Sequence, residues 1–298
     1  MTPRLSQHFL HDRAVAARIA ASVPAGEGGR VVEIGPGRGA LTEPLLARGL
    51  RVRAIELDRR LAAALRERWG AREGFELVEG DARAIELSGA GASGPLWVVG
   101  NLPYAITSPL LFRVLDQVDR ARIAGMVFMI QREVAERLTA PPGTKDYGAL
   151  TVGVGLLADV ERLFDVGPGA FRPPPGVVST VVRITPHDRF DLSPARRERV
   201  RALVRDLFGQ RRKQIQKILR TLPARGLDAA VVEGVAARAG LDLSARPETL
   251  SPEGFLALDR ALAEGAPDAG PEPAFSTPGE GAGPGEPDAR PGRKKRKT

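Results

Sequence analysis

The stretch Arg30-Val31-Val32-Glu33-Ile34-Gly35-Pro36-Gly37-Arg38-Gly39-Ala40 decides the reading of this chain. Its first five residues are rich in β-branched side chains, as a buried strand requires. They run into three glycines at alternate positions, where the backbone is free to turn sharply and to approach a ligand closely. The pattern recurs outward from there. Arg51-Val52-Arg53-Ala54-Ile55 ends at Glu56-Leu57-Asp58, Phe75-Glu76-Leu77-Val78-Glu79-Gly80 ends at Asp81, and Leu96-Trp97-Val98-Val99-Gly100 ends at Asn101-Leu102-Pro103-Tyr104. Helical periodicity lies between, over 39–48 and 59–69. Strand–helix alternation predicts an α/β fold, a mostly parallel sheet with helices on both faces. Such sheets bind ligands outside the carboxyl ends of their strands. Here those ends carry Gly35, Gly37, Glu56, Asp81 and Asn101.

Taken to residue 58, the pattern leaves its ligand open. Gly35, Gly37 and Ala40 fit a dinucleotide-binding turn, and Glu56, 21 residues after Gly35, is placed to accept from ribose hydroxyls. NAD, another adenosine ligand, or a glycine turn with no ligand all remain. The next strand ends favour adenosine without nicotinamide. Asp81 is in reach of an adenine amino group, and Asn101 faces a second base. A dehydrogenase needs a proton donor near the nicotinamide, and the three histidines, His8, His11 and His187, lie at the amino end and near Pro186. Asn101-Leu102-Pro103-Tyr104 suits a flat base carrying an amine. The carboxamide oxygen and a backbone carbonyl accept from it, Pro103 stiffens the turn, and Tyr104 offers a ring face.

Downstream, Ala124–Ile130 predicts a fifth strand and 131–139 a helix, while Val152–Ala158 and Val177–Ile184 read as β-rich runs completing the sheet. From Ser193 onward the pattern is helical, over 194–208, 210–221, 227–239 and 252–263, with Ser251 as an N-cap before Pro252. Residues 265–298 hold seven Gly and seven Pro and end in Arg293-Lys294-Lys295-Arg296-Lys297. That composition predicts a disordered tail. The expected division is 1–187, 188–264 and 265–298.

The 298 residues contain no cysteine, which excludes disulfides, thiolate metal sites and cysteine nucleophiles. No His/Asp/Glu cluster has metal-ligand spacing. The amino end lacks an apolar core of signal length, and the apolar run Met126–Ile130 is too short to span a bilayer. A soluble cytoplasmic protein is expected. The net charge is +8, and residues 193–225 hold eleven Arg or Lys against Glu198 and Asp206. A basic segment of this density reads as a polyanion footprint. Arg211, Arg212 and Lys213 are its candidate nucleic-acid contacts.

Several ordered motifs resemble the rRNA adenine dimethyltransferase family: Gln7-His8-Phe9-Leu10, Glu33-Ile34-Gly35-Pro36-Gly37, Glu56-Leu57-Asp58, Gly80-Asp81 and Asn101-Leu102-Pro103-Tyr104. Lys145–Leu150 and Phe171-Arg172-Pro173-Pro174-Pro175-Gly176-Val177 agree. Phe208-Gly209-Gln210-Arg211-Arg212-Lys213 resembles the small-subunit, KsgA-like branch, whereas Leu5-Ser6-Gln7 sides with the large-subunit, Erm-like branch. The resemblance implies a Rossmann-like class I methyltransferase domain followed by a small all-helical domain. It implies S-adenosylmethionine as methyl donor and S-adenosylhomocysteine as product. His8 and Leu10 would close over the cofactor through backbone groups. Gly35 and Gly37 would lie under its methionine part, Glu56 would hold the ribose and Asp81 the adenine amine. Asn101 and Leu102 would accept from the target amine, with Pro103 shaping the turn and Tyr104 and Phe171 sandwiching the base. The implied reaction is dimethylation of two adjacent adenines near the 3′ end of small-subunit rRNA, in a 30S precursor, by a monomer. Large-subunit rRNA is the alternative target, and an assembly factor acting mainly by binding the alternative role.

Overall fold

Alternate residues of the central strands face opposite ways, and this builds the molecule in layers. In the computed structural model, residues 8–88, 94–103, 107–190, 192–221 and 227–265 are described, Arg120 by its backbone alone. The elements in chain order are β1 (Phe9–Leu10), α1 (Arg13–Ala21), β2 (Arg30–Ile34), α2 (Thr42–Ala47), β3 (Arg51–Glu56), α3 (Arg59–Trp69), β4 (Phe75–Glu79) and β5 (Leu96–Asn101). Then come α4 (Thr107–Leu115), α5 (Val118–Ala121), β6 (Ile123–Gln131), α6 (Arg132–Leu138), α7 (Ala149–Gly155), β7 (Ala158–Val166), β8 (Phe171–Arg172) and β9 (Ser179–Pro186). Four helices follow: α8 (Pro194–Gly209), α9 (Ile215–Thr221), α10 (Ala229–Ala239) and α11 (Pro252–Gly265).

Seven strands form one sheet in the order β4-β3-β2-β5-β6-β9-β7. The first five are parallel, β9 runs antiparallel to both of its neighbours, and β7 at the edge runs in the same direction as the first five. Val31, Trp97 and Val99 enter the core on one face, Val32, Ile34 and Val98 the core on the other. The order reverses between β2 and β5, so the topological switch point lies where Ile34 pairs with Gly100. Register carries the site residues with it. Ile34 is opposite Ile55 and Glu56 opposite Glu79. Gly35, Glu56, Asp81 and Asn101 therefore emerge in a row at one end of the sheet.

Local chemistry fixes the helix starts. The Asp58 carboxylate accepts from the backbone N–H groups of Arg60 at 2.8 Å and Leu61 at 3.3 Å, capping α3. Such a cap contributes about 1 kcal/mol. Ser251 caps α11 as expected, through the N–H of Gly254 at 3.3 Å.

The run 152–158 corrects the sequence reading. Val152 to Gly155 belong to α7, not to a strand, and the neighbouring strand β7 begins only at Ala158. Residues 150–154 are all buried, so no polar face betrays the helical period. The Thr151 hydroxyl accepts from the Gly148 N–H at 3.1 Å and donates to the Arg137 carbonyl at 2.5 Å, which starts the helix. A Cβ on Gly153 would stand 2.9 Å from the Phe112 ring, so this glycine marks close packing against α4. Likewise α9 starts at Ile215, and 210–214 is a turn.

The described residues all fall within one compact unit, Met1–Gly265. The change at 187–188 is a change of architecture. Val200, Leu203 and Leu207 of α8 and Phe255 and Leu258 of α11 share the core that covers one face of the sheet. Tyr147, just before α7, donates its hydroxyl to the Leu250 carbonyl at 2.7 Å and packs edge-on against Phe208. Residues 266–298, the expected tail, lie outside the described residues.

Candidate active site

The row of strand ends opens into a cavity lined by His8 to Leu10, the 33–41 turn, Ile55 to Leu57, Gly80 to Arg83, Asn101 to Pro103 and Leu110. Gly35, Gly37 and Gly39 all have positive φ, at 64°, 60° and 82°. A Cβ at Gly35 would meet nothing, so that backbone faces open space; at Gly37 it would crowd Phe9 at 3.2 Å and at Gly39 it would collide with Trp69. One glycine thus exposes backbone to the cavity, and the other two let the turn pack against β1 and α3.

Three carboxylates stand at three successive strand ends. Glu56 is buried, and its two oxygens accept from the Gly37 N–H and the Asp58 N–H, each at 2.9 Å. Each oxygen keeps a second lone pair for a hydroxyl donor. Glu33 is buried beside it and accepts from the Thr42 hydroxyl at 2.6 Å. Burial, with a smaller push from Glu56, raises its pKa to about 7. Asp81 is part-exposed and held below the usual carboxylate range, chiefly by hydrogen bonds from Arg83. An acceptor-rich, acidic wall suits a ligand whose polar groups are hydroxyls, amines and a positive charge. It repels a pyrophosphate, and the Gly37 N–H that could bind one is taken by Glu56. The residues present therefore fit S-adenosylmethionine and not a dinucleotide.

Asn101 ends β5 at the switch point. Its side-chain nitrogen donates to the His8 carbonyl at 3.2 Å. A carbonyl only accepts, so this bond identifies the amide orientation and leaves Oδ1 as the end free to accept. The neighbouring Leu102 N–H is bound to the Met129 carbonyl at 3.1 Å. His8 is itself held, its Nδ1 lying 2.8 Å from the Pro173 carbonyl. β1 pairs antiparallel with β8, Phe9 opposite Arg172 and Leu10 opposite Phe171. The amino-terminal segment is thereby strapped across the cavity, with the Arg38 guanidinium over the Phe9 ring at 4.7 Å.

The structure brings His8, Leu10, Gly35, Gly37, Glu56, Asp81, Asn101, Leu102 and Pro103 to one cavity. Tyr104 lies outside the described residues. Phe171 corrects the expected base sandwich: it is 2% exposed, packed among Leu10, Val166 and Val181. Buried in that core and paired with Leu10 of β1, it offers no open face here. Sequence reasoning had given no role to Glu33 or Arg83. The signal for Glu33 was a lone charge inside an apolar strand.

The basic segment is also more structural than its charge count implied. Arg196 and Arg199 both reach Asp259, with Nε–O distances of 3.3 and 2.8 Å, and Asp259 is 1% exposed. Arg201 pairs with Asp116 at 2.7 Å and Arg197 with Asp119 at 3.4 Å. Arg211 is bound to Glu248 at 2.8 Å and to the Lys145 carbonyl at 3.1 Å. Arg212 and Lys213 are exposed, Lys213 resting on Gln210 at 2.8 Å.

With this geometry in hand, comparison with known proteins gives the family. The family profile "Ribosomal RNA adenine dimethylase" matches residues 1–257. The chain belongs to this family. It is 43% identical over 263 residues to "Ribosomal RNA small subunit methyltransferase A" of Pseudomonas fluorescens, covering 88% of this chain and 93% of that one. The Rhodospirillum rubrum protein of the same name is 46% identical, with 87% and 86% covered. Among solved structures, a dimethyladenosine transferase from Plasmodium falciparum has 25% identity and a TM-score of 0.71, covering 87% of this chain and 98% of that one. The 23S rRNA methyltransferase ErmE has 32% identity and a TM-score of 0.62, with 86% and 99% covered. A member of the family is an rRNA adenine methyltransferase, its fold is Rossmann-like, and its methyl donor is S-adenosylmethionine. Among the described residues no helix is long and apolar enough to cross a membrane, and no group of His, Cys, Asp or Glu could hold a metal ion.

Proposed function

We propose that this protein dimethylates the exocyclic amines of two adjacent adenines in the 3′-terminal hairpin loop of small-subunit rRNA, acting as a monomer on a 30S precursor in the cytoplasm. The observation that carries the reading is the Asn101 amide on the cavity wall at the switch point, whose nitrogen is bound to the His8 carbonyl so that its oxygen is the acceptor end. The names of the relatives at 43% and 46% identity support the small subunit as target, against 32% for the large-subunit enzyme.

Bound in the cavity, S-adenosylmethionine supplies an electrophilic methyl group. We assign its ribose hydroxyls to Glu56, its adenine amine to Asp81, its methionine part to the Gly35–Gly37 turn, and the cover above it to His8 and Leu10. The target adenine leaves its stack to reach Asn101. Its amine is a weak nucleophile because the lone pair is spread into the ring. Asn101 Oδ1 and the Leu102 carbonyl each accept one N–H bond. That favours a tetrahedral nitrogen and aims its lone pair. Pro103 keeps the two acceptors in fixed relation. Positioning of this kind can supply about 7–11 kcal/mol of a barrier. The attacked nitrogen becomes acidic only after transfer, so its proton can pass to water and no strong base is required. Tyr104 is assigned as the stacking face. Residues 188–264 are assigned as the RNA-facing part, with Arg212 and Lys213 on phosphates and Arg211 fixing the turn that presents them.

The test is transfer of a labelled methyl group to each ribosomal subunit and its precursor, with mapping of the modified base. Label on adjacent adenines of small-subunit rRNA is the expected outcome. Label confined to large-subunit rRNA would sink the target assignment.

A further inference from the structure

Arg83 is a cation paired with an acid that the proposed function assigns to the cofactor's adenine. It and Asp81 both line the cavity. Its Nε lies 3.0 Å from each Asp81 oxygen and its Nη2 2.6 Å from Oδ2, while its backbone N–H donates to Oδ1 at 2.9 Å. Three N–H donors, one of them shared between the two oxygens, make four contacts with a carboxylate that has about four acceptor sites. Both oxygens of Asp81 are thus engaged by a residue two positions along the chain. Both side chains are part-exposed, Arg83 by 51% and Asp81 by 31%, so the guanidinium can move into water at little cost. Leu57, 56% exposed at the end of the adjacent strand, is the apolar neighbour such a cavity end would offer a base.

We propose that the Arg83 guanidinium competes with the cofactor's adenine amine for Asp81, keeping this carboxylate aimed in the empty enzyme and helping to expel the adenine after transfer. The inference rests on the assignment of Asp81 to the adenine amine. Binding exchanges one donor for another. The guanidinium withdraws from at least one oxygen, the amine takes its site, and the backbone N–H of Arg83 stays. The exchange makes the adenine subsite specific without making it tight, because each correct ligand displaces an internal partner. It also makes Arg83 a positioning residue, distinct from those that hold the methyl donor.

S-adenosylhomocysteine is the probe, since it carries no net charge and its own binding responds weakly to salt. Calorimetry on the full-length protein compares the wild type with Arg83→Met, which keeps the aliphatic stem. Competition requires the variant to bind the probe more tightly, by about 1.5- to 5-fold, the range an exposed ion pair is worth. It also requires wild-type affinity to rise between about 50 mM and about 500 mM salt, as the Arg83–Asp81 pair is screened, and the variant to lose that rise. Unchanged or weaker binding by Arg83→Met overturns the proposal. Asp81→Ala in the Arg83→Met background, which leaves no side-chain acceptor and no competitor at this position, separates the adenine assignment from the competition. If it leaves the affinity of Arg83→Met unchanged, Asp81 does not hold adenine and the underlying assignment fails. If it weakens binding while Arg83→Met alone does nothing, the assignment stands and only the competition fails. Circular dichroism confirms that each variant is folded.

Discussion

Glu33 in the sheet and Asp259 in the last helix are both 1% exposed, yet the molecule treats them in opposite ways. Asp259 is met by two guanidinium groups, Arg196 and Arg199, which reach it from α8 and staple that helix to α11. Glu33 has a neutral hydroxyl, Thr42, as its hydrogen-bond partner and a second acid, Glu56, nearby. Burying a charge is costly unless it is paired. Asp259 meets that cost within the fold. At Glu33 the cost remains, which shows as a raised pKa, and the group faces a cavity. One buried acid is paired with cations inside the fold, and the other, on a cavity wall, has a neutral partner and a raised pKa.

The largest effect should come from the group that points into the same cavity without a charge. Asn101→Ala removes an acceptor used chiefly in the transition state, so kcat should fall by about 10²- to 10³-fold, or about 3–4 kcal/mol. Affinity for S-adenosylhomocysteine should stay close to wild type. Single-turnover kinetics with parallel calorimetry check this, and a variant with most of its turnover would remove Asn101 from the chemistry.

Next comes Glu33. Below about pH 4.5 it is protonated in folded and unfolded chains alike, and stability does not depend on it. Between there and its folded pKa of about 7, the unfolded chain ionises while the folded one keeps its proton, so stability falls as pH rises. Above that range the folded protein carries a destabilisation of about 3 kcal/mol from this group. Glu33→Gln keeps an oxygen for Thr42 and should abolish that loss. Urea midpoints across this range should diverge between the two proteins, and parallel curves would show that Glu33 ionises freely.

Asp259→Asn tests the other member of the pair. The two arginines are 32% and 41% exposed and can recover water, so the loss should be about 2 kcal/mol. An unchanged denaturation midpoint would show that packing alone joins α8 to α11.

The smallest change in stability belongs to Arg212 and Lys213. Replacing both with Ala should leave melting unaltered but lower the salt dependence of subunit binding by about 0.7–0.9 log units per lost phosphate contact. An unaltered slope would mean that these exposed cations only solvate a turn.

Much of this was legible in the sequence. Strands ending at Gly35, Glu56, Asp81 and Asn101 announced themselves as apolar runs followed by polar or glycine residues. The parallel order placed their ends together. What stayed hidden had physical reasons. α7 is buried around its whole circumference, so Thr151-Val152-Gly153-Val154 shows β-branched propensity and no helical period. Phe171 was expected to stack on the base with Tyr104, but it is buried and its strand pairs with β1 from a distant part of the chain. The arginines of α8 made a charge cluster along the sequence, while their partners Asp116, Asp119 and Asp259 lie far along the chain. Pairings between distant residues are what a linear reading of charge misses.

The strap has a consequence for the order in which the protein is made. Phe9 and Leu10 leave the ribosome near the start of synthesis, and their partners Arg172 and Phe171 follow more than 160 residues later. At about 5–20 residues per second, that interval is on the order of ten to thirty seconds. Through it β2 to β6 can pair, and the acidic strand ends can gather, while β1 still lacks its partner strand. The strap over the cavity is therefore among the last contacts of the sheet's ligand-binding end to be completed.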